Sequence, residues 1–371
     1  MTLFQSKKIH TLLVAVLLTA GASGAGSPSK KYFVYLVCES ADKIAVVEYG
    51  PDGVKLDRAF HTGPLPTGDI NGPHGIIMSP DRQFYYVTLG HGRPYGQLLK
   101  YRVKDDAVVG QVTLGFFPAT VDVTPDGNFV YAVNFNLHGD MVPSSVSAVA
   151  TDAMVEAARV QTCVMPHGSR INPAGTRQYS GCMMDDMLVE IDTSRFRVSR
   201  HFVLTAGKEV GMPGPPAAHP HGMAQITCSP TWAQPSADGK AVFVACNKGD
   251  EIVEVDATNW KLARRIAAGP GVYNLAVSKD GRLLVATNKR GQSVSVFDSK
   301  TGRELARLAT KRKVPDGVVI TPDNLYAFVA VEGIGSEPGT VEVIDLQVLK
   351  TVATVDVPEQ AVGIDFWKSE P

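Results

Sequence analysis

The sequence predicts an all-β protein: a seven-bladed β-propeller of four-stranded antiparallel blades, closed by pairing of N- and C-terminal strands. Three observations predict it. A turn-plus-strand phrase recurs along the chain, its copies lie roughly 42 to 48 residues apart except around one insertion, and the segments of one further blade are divided between the two ends.

The phrase approximates PDGKxxYVTN and stands at Pro80–Leu89, Pro125–Asn134, Pro173–Cys182, Ala237–Cys246, Lys279–Asn288 and Pro322–Val331. Its Pro, Asp and Gly preset φ or tolerate left-handed geometry, and the aromatic and β-branched residues after them favour a pleated, half-buried strand. A short apolar segment precedes each turn, as in Ala119–Val123 and Gly317–Ile320, and two more strand candidates follow each copy. Each unit therefore reads as a four-stranded meander. Six units run from about His74 to Val355. Three strands at Tyr32–Cys38, Ile44–Tyr49 and Val54–Phe60, with Ala361–Ile364 as the innermost, supply the seventh blade and leave no open sheet edge.

Lys7, Lys8 and His10 precede an uncharged run, Thr11–Ala22, that ends in the small-residue triplet Ala20-Gly21-Ala22. This predicts a signal peptide over residues 1–25 and a single propeller domain over 26–371, in a periplasmic or secreted protein. The apolar run is far short of the ~20 residues that span a bilayer, so no membrane insertion is expected. A net charge of −1 gives no field for nucleic acid or anionic lipid. Five cysteines leave at least one without an intrachain partner.

In these repeats the chain resembles the YVTN-repeat, YncE-like propellers of bacteria, over nearly all of the sequence after the leader. The resemblance implies the fold. It implies no single activity, because that family is defined by its scaffold.

The residue six positions before each turn begins an innermost strand, at one mouth of the central channel. Round the ring these are His74, Ala119, His167, His221, Tyr273, Asp316 and Gln360, with His221 placed beside a Pro-rich insertion at His219–Ser236. Pro-His-Gly occurs three times in this register, at His74, His167 and His221. Imidazoles beside a carboxylate and a phenol suit a metal or acid–base site. The same tripeptide also reads as a strand-leading turn whose His donates to a backbone carbonyl.

Cys182 and Cys246 end their phrases, and Cys38 holds the matching place in the seventh blade. Antiparallel pairing puts Cys182 near His167 and Cys246 near His221. Met165, Met183, Met184, Met187, Met212 and Met223 lie nearby in sequence. A donor set of His74, His167, His221, Cys182 and Cys246 with methionine suits copper or another transition metal, whereas Met also fills core gaps and a free Cys behaves as a small hydrophobe. The disulfides compatible with blade geometry are Cys163–Cys182 and Cys228–Cys246. His91 and His138 read as exposed loop residues.

No Gly-x-Ser-x-Gly elbow, phosphate-cradling loop or Cys-x-x-Cys-His haem motif is present. The expectation is a monomeric binding or scaffold propeller whose mouth takes a metal or small polar ligand, or a protein at the same face. The alternatives are a metal-dependent enzyme (oxidoreductase, lyase or lactonase-like hydrolase) and a pure protein-interaction platform.

Overall fold

The computed structural model describes residues 28–63, 70–91, 95–216 and 226–371. The signal peptide expected at 1–25 lies outside them. The described residues form seven antiparallel sheets. In the closing blade, β1 (Lys31–Cys38), β2 (Lys43–Gly50) and β3 (Gly53–His61) lie outside β29 (Ala361–Glu370), in the order β29-β1-β2-β3. The other sheets start from inner strands β4 (Pro73–Met78), β8 (Pro118–Val123), β12 (Pro166–Ile171), β17 (Pro230–Pro235), β21 (Val272–Val277) and β25 (Pro315–Ile320). The third blade carries a fifth strand, Val210–Pro213, paired with Arg197–Val203. No helix among the described residues is long and apolar enough to cross a membrane.

Alternation along a strand explains how blades adhere. In β1, Val34 and Leu36 pack on Phe328 and Val343 of the sixth blade, while Tyr35 and Val37 pack on Tyr85 and Val87 of the first. Second strands such as β1 are buried on both faces, and outer ones such as β3 alternate between exposed and half-buried. In five of the six copies the Asp of the phrase fixes the turn: Asp81, Asp126, Asp238, Asp280 and Asp323 all accept a hydrogen bond from the Ser or Thr hydroxyl two residues earlier, while in the third Asn172 Oδ1 accepts from the backbone N–H of Thr176 and Arg177.

Each inner strand is led by one residue with positive φ: Gly72, Phe117, Met165, Ser229, Gly271, Val314 and Gln360. A register irregularity follows within three residues on the inner strand of each of the first six blades, and the closing blade has its own between Leu36 and Cys38. Together they turn the second residue of the strand toward the axis. The third residue meets the neighbouring inner strand. A methyl group on Gly75 would stand 2.4 Å from the Ala119 carbonyl oxygen, and one on Gly168 would stand 2.2 Å from that of Thr231. The Gly of Pro-His-Gly is thus required by close approach of the blades.

This frame corrects two places in the predicted ring. β17 lies inside the segment taken as an insertion, and its second residue, Thr231, holds the fourth place, while His221 lies outside the described residues. The seventh place is Val362. Gln360 sits two residues earlier, in the positive-φ lead, and accepts a hydrogen bond from the Ser40 hydroxyl.

Candidate functional site at the channel mouth

Large and small residues alternate through the first five places: His74, Ala119, His167, Thr231, Tyr273, then Asp316 and Val362. Ala119 leaves room for the His74 and His167 rings to approach to 6.1 Å, and Thr231 does the same for His167 and Tyr273 at 5.4 Å. Sequence reasoning therefore placed His74, His167, Tyr273 and Asp316 together, and the structure brings them to one opening.

A second ring lies one residue beyond the end of each blade's second strand: Glu39, Gly90, Phe135, Met183, Asn247, Lys289 and Glu332. These places partner the first ring and were missed. Glu39 Oε2 lies 2.7 Å from His74 Nδ1, and Oε1 lies 3.1 Å from His91 Nε2. His91 is therefore tied to the site and is not a free loop residue. Its ring faces His138 at 5.7 Å, and both stand edge-on to Phe117.

Protonation follows from these contacts. Nδ1 of His74 donates to a carboxylate, which leaves Nε2 as the basic atom; Nε2 makes no hydrogen bond among the described residues. Burial disfavours the His74 imidazolium, but the charge and hydrogen bond of Glu39 outweigh it and raise the pKa. Glu39, with only 8% of its side chain exposed, feels burial in the opposite sense; the two imidazoles overcome it and hold its pKa down at about 2.

His167 is a different histidine. Its Nδ1 donates to the Thr231 carbonyl at 2.9 Å, so Nε2 accepts from the Tyr273 hydroxyl at 3.1 Å. Burial, with His74 nearby, lowers its pKa to about 4 and keeps the ring neutral. Here the backbone-donor reading of Pro-His-Gly holds, and for His74 it does not.

Across the mouth, the Lys289 ammonium sits 2.5 Å from Asp316 Oδ2, 2.7 Å from Glu332 Oε1 and 3.7 Å from the centre of the Tyr273 ring. Burial alone would neutralise such a lysine; the two carboxylates raise its pKa instead. Asp316 stays ionised, while burial and the Asp316 charge lift Glu332 to about 7 despite the Lys289 ammonium beside it. The mouth thus has a basic imidazole on one side and a fixed cation on the other.

The expected copper site is not assembled from the cysteines. Cys182 is bonded to Cys163 and Cys246 to Cys228, so neither has a thiolate to offer. Cys38 is free but buried in the blade core, which pushes its thiol up to about 12. Met165 and Met183 pack on Phe117, Ala119 and Phe135, as apolar lining, and Met187 belongs to the core between the second and third blades. Among the described residues no group of three or more His, Cys, Asp and Glu side chains is placed to hold a metal ion.

Residues 24–139 match the sequence model of a family described as lactonase, 7-bladed beta-propeller. The periplasmic gluconolactonase of Pseudomonas aeruginosa superposes with a TM-score of 0.67 at 19% identity, covering 91% of this chain and 99% of that one. Hydrazine synthase of Kuenenia stuttgartiensis gives 0.60 at 21% identity, over 78% and 80% of the two chains. A functionally unknown protein from Desulfotomaculum acetoxidans gives 0.65 at 16% identity, over 90% and 98%. These likenesses share the seven-bladed fold. No curated protein matches the chain.

Proposed function

We propose that the mouth is the active site of a lactonase-like hydrolase that opens a cyclic ester. The observation that carries this reading is the Glu39–His74 pair, a buried carboxylate that orients an imidazole whose other nitrogen is left to take a proton. The match of residues 24–139 to a lactonase family and the likeness to a gluconolactonase support it. Water adds to the lactone carbonyl carbon as His74 Nε2 takes its proton. The ring C–O bond then breaks, and the same proton returns to the departing alkoxide, giving a hydroxy acid. Lys289, whose charge reaches His74, is the cation at hand for the transient oxyanion. The Tyr273 phenol, held by His167, sits on the same side.

Two disulfides support an oxidising compartment, so the same reading places the protein outside the cytosol. The test is acid release from glucono-δ-lactone and δ-valerolactone, with spontaneous opening subtracted. We expect catalysis by the wild-type protein and a loss of about 10²- to 10⁴-fold in kcat for His74→Ala, the range typical of a general base. Rates equal to the uncatalysed background for both lactones would remove the proposal.

A further inference from the structure

We infer that the ligand of this mouth carries an apolar substituent, which lodges in a cleft between the first and second blades against Tyr95 and Phe116. The inference rests on the hydrolase reading for the identity of the ring that is opened. The cleft encloses about 1440 Å³ and begins at His91 and His138, next to Glu39 and His74. Ligand sites for small molecules typically enclose about 300–1000 Å³, so a bare lactone ring would occupy only its inner end.

The lining states the chemistry of the remainder. Ile70 and Val142 are each 52% exposed, Phe116 is 49% exposed and Tyr95 44%, and all four line this one cleft. Scattered exposed apolar side chains are ordinary, but four round one concavity form a patch that marks a binding surface. The Tyr95 and Phe116 rings lie 5.0 Å apart with 33° between their planes, a ready apolar wall.

Charge argues against a phosphorylated ligand. Among the described lining residues Arg159 is the single Lys or Arg, and its guanidinium already forks onto Glu156 at 2.7 and 2.8 Å. Asp140 on the same rim would repel a dianion. The cleft is continuous with the imidazole cluster and offers no free cation among its described residues, so that lining favours an uncharged alkyl or aryl group on the substrate.

The experiment compares kcat/KM for unsubstituted δ-valerolactone, pentyl-bearing δ-decalactone and aryl-fused dihydrocoumarin, in wild type, Tyr95→Ala and Phe116→Ala. We expect wild type to prefer one substituted lactone by about tenfold or more, with that ratio collapsing in Phe116→Ala; the better of the two identifies alkyl or aryl. A parallel arm measures binding of the lactam analogue of δ-decalactone by calorimetry, which needs no turnover. Lactam binding that weakens about tenfold in Phe116→Ala, with none of the three lactones opened, supports the cleft assignment and removes the hydrolase reading. Lactones opened with a substituted-to-unsubstituted ratio near one overturn this inference alone. A dimer in solution that Phe116→Ser dissociates also overturns it, by assigning the patch to a second copy of the chain.

Discussion

Replacing Glu39 by Gln removes a charge from the mouth at nearly constant volume. The side chain is 8% exposed and makes two contacts, 2.7 Å to His74 Nδ1 and 3.1 Å to His91 Nε2, so the amide can keep one acceptor toward His74. A hydrogen bond to a charged group is worth about 1.5–3 kcal/mol net, and a neutral one about 0.5–1.5. The difference, about 1–2 kcal/mol, predicts a fall of roughly 5- to 30-fold in the plateau kcat/KM for lactone opening. The pH dependence is the sharper reading. His74 must be unprotonated to accept a proton, and Glu39 raises its pKa against the effect of burial. The rising limb of the wild-type profile therefore lies above the ordinary imidazole value, and in Glu39→Gln burial prevails and the limb moves to lower pH. Stability follows the same pair with opposite signs. The Glu39 contribution is complete above the ordinary carboxylate pKa of 4.5 and is lost as pH falls toward about 2. That of His74 is complete below the ordinary 6.5 and is lost as pH rises through its raised value, so the pair stabilises most between those two ordinary values. The assay is indicator-linked acid release from about pH 5 to 8, with melting curves across the same range. A limb that stays in place or moves upward in the variant would refute the assignment of His74 as the base.

Two further substitutions test the frame around the site. Gly168→Ala places a methyl group 2.2 Å from the Thr231 carbonyl oxygen and should lower the urea unfolding free energy by about 1–3 kcal/mol, whereas Gly63→Ala, with nothing within 4 Å, should change it by less than about 0.5. Lys289→Met leaves Asp316 and Glu332 buried without their cation, a change that costs about 3–5 kcal/mol when it breaks a buried ion pair. Protonation relieves that repulsion, so the melting temperature gap from wild type should widen as pH rises through about 7, where Glu332 ionises in the native protein; a gap independent of pH counts against the shared-cation arrangement.

The fold was legible because its signals are local and repeated. A Ser/Thr-x-Asp turn followed by a strand-forming segment can be read in five of the six copies, and the period then supplies the ring. The first ring was legible for the same reason, as a fixed offset from the turn, and it failed where local chemistry was ambiguous. At the fourth blade the repeated Pro-His-Gly favours His221, although the offset itself points to Thr231. At the closing blade the offset has no turn to be counted from, which is how Gln360 stood in for Val362. Glu39, Lys289 and Glu332 were one step from a position already under scrutiny. The residue after each phrase varies from blade to blade, with only Glu occurring twice, so no repetition marks it, and only the packing of one blade's second strand against the next blade's inner strand shows which charges meet. The disulfides were legible as geometry-compatible pairs but competed with metal ligation until the strand register settled the distance: Pro166 faces Cys182 and Pro230 faces Cys246.

The shared closing blade sets an order on folding. Lys31 pairs with Glu370 and Cys38 with Ala361, so the earliest strand of the ring cannot complete its sheet until β29 exists. Until then β1 presents an unpaired edge beside an apolar face bearing Tyr35 and Val37, which is a template for association with other chains. Loss of the C-terminal strand would therefore do more than trim a terminus. It would open the circle beside Glu39 and His74 together, because β29 abuts β4 and the Gly363 backbone lies against the His74 carbonyl. A chain cut after Val357 should expose its sticky edge and lose the mouth in one event, which makes the final strand the clasp of the whole molecule.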